Sequence, residues 1–164
     1  NRLEAGQPIT EQTRVDLHLL LQEVYEIEQP NFDQRRVQFA NCLPPSLPHV
    51  YVEEDMIRRV LVNLINNALK YSTEDQTITV LGQLQPESER VLVSVSDQGK
   101  GIPKQYRETI FEKFERIATK DSNAKGLGLG LAFCRLAVEA HDGRIWVDNA
   151  PSGGARFNFT LPLA

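Results

Sequence analysis

"EDMIRRVLVNLINNALKY", residues 54–71, decides the fold. Ile57, Val60, Leu61, Leu64, Ile65, Ala68 and Leu69 recur at threes and fours, the spacing that lines one face of an α-helix. No other stretch of the chain repeats so regularly. Its polar residues are also grouped. At 100° per residue Asn63, Asn67 and Lys70 fall within an arc of roughly 60°, bordering the apolar face and not opposing it. Such a stripe is either the solvated flank of an amphipathic helix or a row of functional groups at the edge of the core. In the second case an asparagine oxygen is a competent ligand for Mg²⁺, which keeps several waters and takes other ligands from substrate phosphates. A lysine one turn on would neutralise a phosphate.

Before this helix, "VDLHLLLQEVYEI" predicts another, with Val15, Leu20, Leu21, Val24 and Ile27 on one face and an end before Pro30. "RRVQFAN" and "HVYVE" read as strands separated by the proline-broken "CLPPSLP". After it, "TITVLGQL" and "RVLVSVSD" form a hairpin across the polar "QPESE". Apart from "YRETIFEKFERI", residues 99–126 are polar and irregular, and "ATKDSNAK" has the composition of a mobile surface loop. "GRIWVDN" and "ARFNFTLPL" close the chain as strands, the latter with Phe157, Phe159 and Leu161 on one face. Strands gathered in the second half among helices predict an α/β two-layer sandwich, one sheet covered on one side by helices.

With 164 residues the chain has room for one domain and one sizeable core. A composition 41% hydrophobic and 24% charged argues against disorder, and a net charge of −4 argues against a general attraction to nucleic acid. Any polyanion it binds must meet local positive groups. Cys42 and Cys134 lack the close pairing of a metal or redox motif, so both are expected in or near the core and in a reducing compartment. No apolar run approaches the roughly 20 residues a transmembrane helix needs, and "NRLEAGQPIT" lacks the pattern of a secretory signal. The expectation is a cytoplasmic domain without direct membrane contact, whose parent can still be membrane-anchored.

Two further segments carry chemistry. In "DQGKGIP", residues 97–103, a strand ends in Asp97 followed by Gly99 and Gly101. A carboxylate there accepts hydrogen bonds, and bare backbone beside it admits a flat ligand, so a purine's exocyclic amine would suit it; a plain turn is the other reading. In "KGLGLGLAFCRL", residues 125–136, Gly126, Gly128 and Gly130 run into an apolar helix. Helix N-terminal amides lack internal partners, and with bare backbone before them they form an anion site for a polyphosphate. The spacing is not G-x-G-x-x-G and no G-K-[ST] follows, so neither a dinucleotide fold nor a Walker loop fits. Arg116, Lys120 and Lys125 in the preceding loop would make it a flexible, basic lid, unless they are simply solvated.

In order and at spacing, these segments resemble the ATP-binding boxes of the histidine kinase catalytic domain, a family within the gyrase, Hsp90 and MutL ATPase group. "LVNLINNALKYS" is similar to the asparagine box, "VSDQGKGIP" to the first glycine box and "IFEKFERI" to the phenylalanine box. "KGLGLGLAFCRLAVEAHDGRIWV" resembles the second glycine box, and "GGARFNFTLPL" the last. The resemblance implies a Bergerat-type fold: a mixed sheet covered on one face by about three helices, with a flexible ATP lid. It implies ATP and Mg²⁺ as cofactors, with Asn67 on the metal, Asn63 and Lys70 supporting the phosphates and Tyr71 on the adenine side. Asp97 would take the adenine amine, Gly99 and Gly101 would shape its pocket, and Arg116 would reach a phosphate. Gly126, Leu127, Gly128 and Gly130 would cradle the triphosphate, with Phe111 and Phe114 packing to seat the lid. Ala155 stands where threonine or serine is common and Ser152 where glycine is common, which argues against a nucleotide contact by the last box. Residues 1–12 resemble the tail of a preceding dimerisation helix and linker, leaving 13–164 as the catalytic domain.

Hydrolytic relatives carry a glutamate at the position of Asn63, and an amide cannot take a proton from water. The resemblance therefore implies a two-component kinase domain that hands the γ-phosphoryl to a histidine on a dimerisation domain, with a response regulator downstream. A related serine kinase or ATPase is the alternative, and a non-enzymatic module with a degenerate pocket a third possibility. His18, His49 and His141 lack the family's phosphoacceptor pattern, and structural or surface roles are expected for them.

Overall fold

The computed structural model describes residue 9, residues 11–112 and residues 130–164. Three helices, α1 (Leu17–Arg35), α2 (Glu54–Tyr71) and α3 (Gly130–Ala140), pack together, with α2 between the other two. Beneath them lies a five-stranded sheet in the order β2-β4-β5-β7-β6, built from Gln38–Cys42, Thr77–Gln85, Arg90–Ser96, Ala155–Pro162 and Ile145–Asn149 respectively. β2 runs parallel to β4 and the other neighbours are antiparallel, so the sheet is mixed. β1 (Thr13–Val15) and β3 (Val50–Val52) form a separate antiparallel pair. The α/β sandwich expected from the sequence is what the chain forms.

Period-two alternation explains the layering. Ile78 and Val80, Val91, Val93 and Val95, and Phe157, Phe159 and Leu161 all turn to the helices and are buried. α2 answers with Ile57, Val60, Leu61, Leu64, Ile65, Ala68 and Leu69, every apolar residue that defined its periodicity. Each large aliphatic side chain fully buried there contributes about 1.5–3 kcal/mol. The polar side of the sheet is ordered too: Ser94 donates to Asn158 at 2.7 Å, and Arg156 grips Asp148 with two bonds of 2.9 Å.

Three expectations need correction. α1 does not stop before Pro30 but runs through it to Arg35, ending on Arg36 in the left-handed region at φ 56°. Phe32 accounts for the extra turn: it is buried and packs edge-on against Tyr25 and Phe39, at 5.5 and 5.4 Å between ring centres. Burying that ring outweighs one lost backbone bond at proline. Val15 belongs to β1 and Ile27 is exposed; the inner face of α1 is Leu17, Leu20, Leu21, Val24 and Phe32, with Glu28 buried among them. Cys42 is exposed at the end of the edge strand β2, and only Cys134 lies in the core. Between β5 and α3, Lys104–Tyr106 and Thr109–Phe111 form short 3₁₀ turns.

Candidate functional site

The last turn of α2 and the C-terminal end of β5 meet at a cavity of about 780 Å³. That is the size of a small-molecule site. Six residues singled out in the sequence line it together: Asn67, Lys70, Tyr71, Asp97, Gly99 and Gly101. Asn67 and Lys70 reach it because they flank the apolar stripe of α2, so burying that stripe aims them along the seam between helix and sheet. Two of the three residues of that polar stripe, Asn67 and Lys70, therefore border the cavity.

Asp97 forms the floor and is 3% exposed. Its Oδ1 accepts from the backbone N–H of Gly99 at 2.9 Å and of Ala155 at 3.0 Å. Burial nevertheless holds the carboxyl above its ordinary range, against the lowering effect of those two amides. Both amides engage Oδ1, which leaves Oδ2 as the oxygen that can accept from a ligand. A charge-assisted hydrogen bond of this kind contributes about 1.5–3 kcal/mol net.

Close backbone packing explains the glycines around it. A Cβ on Gly99 would stand 2.7 Å from the Tyr71 carbonyl oxygen. Gly101 sits at φ +77°, and a Cβ there would meet Asn149 Oδ1 and the Gly153 carbonyl oxygen, both at 2.8 Å. Gly154 is the tightest, 2.0 Å from the Asp97 carbonyl oxygen by the same construction. A nucleotide contact by the last box was not expected, because Ala155 and Ser152 depart from the residues common there. Ala155 nevertheless lines the cavity, and its main-chain amide orients Asp97. A side-chain pattern cannot reveal a backbone donor.

Asn63 lies one turn back on α2 and is not among the residues lining the cavity. Its carboxamide faces α3, where a Cβ on Gly130 would be 3.4 Å from Oδ1. Cys134 of α3 donates to the Val60 carbonyl at 3.8 Å, and burial pushes its thiol up to about 12 against the lowering effects of Asn63 and the nearby charge of Arg59. Asn63 thus meets the first residue of the glycine-led helix, one end of the expected phosphate cradle. Arg116, Gly126, Leu127, Gly128 and Phe114, with the expected lid, lie outside the described residues. Phe111 is buried, edge-on to Phe157 at 6.0 Å, a packing residue as expected.

Sequence reasoning missed part of the wall. Lys100, Lys104 and Arg107 line the cavity beside Lys70, so among the described residues cations there outnumber the one carboxylate, although the chain is acidic overall. Three cations within eight residues of "KGIPKQYR" were a readable signal. This positive lining suits a polyanion. Asn149, which accepts from Ile102 N–H at 3.4 Å, and Gln76 carried no such signal.

The donor set fits a magnesium ion that arrives with phosphates. Among the described residues no group of three or more His, Cys, Asp or Glu side chains could hold a metal, whereas Asn67 offers a neutral amide oxygen in a cavity lined by cations. The three histidines are engaged structurally, as expected. His18 Nε2 lies 2.7 Å from the Pro44 carbonyl oxygen, and His49 Nδ1 accepts from Arg14 at 3.0 Å. His141 is buried between α3 and the start of α2: Nδ1 donates to the Ala137 carbonyl at 2.7 Å, and Nε2 accepts from Glu53 N–H at 3.0 Å. No described helix is long and apolar enough to cross a membrane.

Comparison with known proteins agrees with this fold. A family profile, "Histidine kinase-, DNA gyrase B-, and HSP90-like ATPase", matches residues 52–164. The chain is 43% identical over 144 residues to the adaptive-response sensory kinase SasA of Synechocystis, covering 88% of this chain and 37% of the relative. SasA of Thermosynechococcus vestitus is 42% identical over 150 residues, 92% of this chain and 39% of that one. The chain thus spans about two-fifths of these relatives. Among solved structures, the nucleotide-free catalytic domain of histidine kinase ThkA superposes with a TM-score of 0.82 at 30% identity, covering 94% of this chain and 99% of that one. Full-length ShkA in complex with AMPPNP gives 0.83 at 30% identity, covering 99% of this chain and 33% of that one.

Proposed function

The chain belongs to the histidine kinase-, DNA gyrase B- and HSP90-like ATPase family, and from that premise we propose that it binds Mg-ATP for transfer of the γ-phosphoryl group to a histidine on a separate dimerisation domain. The observation that carries this reading is the convergence of Asn67, Lys70, Asp97, Gly99 and Gly101 on one cation-lined cavity. ATP binding is the property its family shares, and ShkA holds an ATP analogue. On this reading residues 13–164 are the catalytic domain and residues 1–12 the tail of the dimerisation helix and linker. A response regulator takes the phosphoryl group onward.

Asp97 Oδ2 accepts the adenine amine. Tyr71 and the bare backbone at Gly99 and Gly101 face the base. Lys70 meets the phosphates from α2, and Arg116, Gly126, Leu127, Gly128 and Gly130 complete the phosphate site. Asn67 holds the magnesium, which draws charge from the phosphate oxygens when bound. An imidazole nitrogen of the acceptor attacks the γ-phosphorus, the bond to the β,γ-bridging oxygen breaks, ADP leaves, and the imidazole proton passes to solvent. Asn63 cannot take a proton from water, so hydrolysis does not compete well. The serine kinase or ATPase alternative requires an activated hydroxyl or water, and that position offers no base.

Isothermal titration of the 164-residue chain with ATP and magnesium tests the reading. Asp97→Asn keeps an acceptor for the Gly99 and Ala155 amides but removes the charge, and it should weaken ATP at least about 10-fold, the low end of a charge-assisted bond. Unchanged affinity in that variant removes the adenine assignment. Adding a histidine-bearing dimerisation domain should yield acid-labile phosphate on it, whereas acid-stable phosphate or rapid ADP release without acceptor would favour the alternative.

A further inference from the structure

We infer that Gln76 is a positioning residue for the purine end of the cavity, fixing the 97–101 loop against the turn that follows α2; this rests on the nucleotide reading above. Gln76 uses both ends of its carboxamide. Oε1 accepts from Thr73 N–H at 2.9 Å, and Nε2 donates to the Gln98 carbonyl oxygen at 3.0 Å. Gln98 reciprocates, its Oε1 accepting from Thr77 N–H at 2.7 Å. Each glutamine therefore bonds the main chain of the other's segment, and the two segments are cross-linked beside Asp97.

The turn is the fixed side of this latch. Asp75 N–H donates to the Arg36 carbonyl and Gln38 N–H to the Gln76 carbonyl, both at 2.8 Å, and Arg36 pairs with Glu74 at 2.8 Å. Residues 73–76 are thus tied to the end of α1 and the start of β2. In the 97–101 loop Asp97 is held to β7 through Ala155, whereas the main chain at Gln98, the next residue, is held by Gln76. Through Gln76 the anchored turn sets where Gln98 stands, and Gln98 sets where Gly99 lies against the Tyr71 carbonyl and bonds Asp97. A drift of the loop would move Gly99, and with it one of the two amides that orient the Asp97 carboxylate. The bonds of the latch use only Gln76, Gln98 and the main chain at Thr73 and Thr77, none of which is assigned to the phosphates, so nucleotides that share a base but differ in phosphates should feel the latch alike.

Two variants test this, Gln76→Ala, which removes both bonds, and Gln76→Glu, which keeps the acceptor for Thr73 and removes the donor to Gln98. Hydrogen–deuterium exchange of the nucleotide-free chain should show the Gly99 amide exchanging about five-fold faster in both, the factor one net hydrogen bond supplies, while Val93 in β5 keeps its protection. Titration should show the affinities for Mg-ATP and Mg-ADP falling by a common factor of about five. Unchanged exchange at Gly99, equal acceleration at Val93, or a loss confined to ATP would each overturn the proposal. If the unmodified chain bound neither nucleotide, the ATP reading would fail on its own, and the exchange comparison would still decide the latch.

Discussion

Gly154→Ala is the sharpest test of how the site is built. The added methyl would lie 2.0 Å from the Asp97 carbonyl oxygen, 2.5 Å from its carbonyl carbon and 2.7 Å from Oδ1. Two of these atoms are main chain, so no rotamer relieves the contact, and β7 must move away from the end of β5. That movement breaks the bond from Asp97 N–H to the Ala155 carbonyl at 2.9 Å and the bond from Ala155 N–H to Asp97 Oδ1 at 3.0 Å. A neutral backbone bond contributes about 1 kcal/mol and one to a carboxylate about 2, so the loss is about 3 kcal/mol. For a domain of this size that lowers the melting temperature by about 6–12 °C. Gly153→Ala is the control. A Cβ there meets nothing within 4 Å, and its cost is confined to a left-handed backbone at φ +96°, about 1–2 kcal/mol. Thermal unfolding followed by circular dichroism, with ATP titration of each folded variant, separates the two. Should Gly154→Ala melt within about a degree of the parent, the claimed contact between β7 and Asp97 is wrong.

Two further outcomes are expected. Burial lowers the pKa of His141 below its ordinary 6.5, so the unfolded state takes up the proton first as pH falls. The stability His141 supplies is complete above 6.5 and declines as the pH drops from there through the lower folded value; urea midpoints should rise with pH across that window, and His141→Gln should flatten the rise. Ellman's reagent should titrate one thiol in the native chain, the exposed Cys42, and two in denaturant, because Cys134 is fully buried with its thiol pKa near 12. Two fast-reacting thiols without denaturant would contradict the packing of α3.

Much of this protein could be read from local pattern. Seven apolar residues of α2 at helical spacing, the alternation of Phe157, Phe159 and Leu161, and the hairpin across residues 86–89 are consequences of repeat length, and a linear string records repeat length directly. The same periodicity placed Asn67 and Lys70 beside the core, and Asp97 announced itself by ending an apolar strand with glycines behind it. These depend on neighbours in the chain, so sequence alone determined them. α1 escaped because Pro30 is a local veto, while the burial of Phe32 against Tyr25 and Phe39 is a contact across elements. Tertiary structure alone decided that the Ala155 amide, 58 residues from Asp97, would orient its carboxylate, that Asn63 would face Gly130, and that Gln76 and Gln98 would join hands. Main-chain donors are the same at every residue, so their partners exist only once the chain has brought β7 beside β5 and the two loops together.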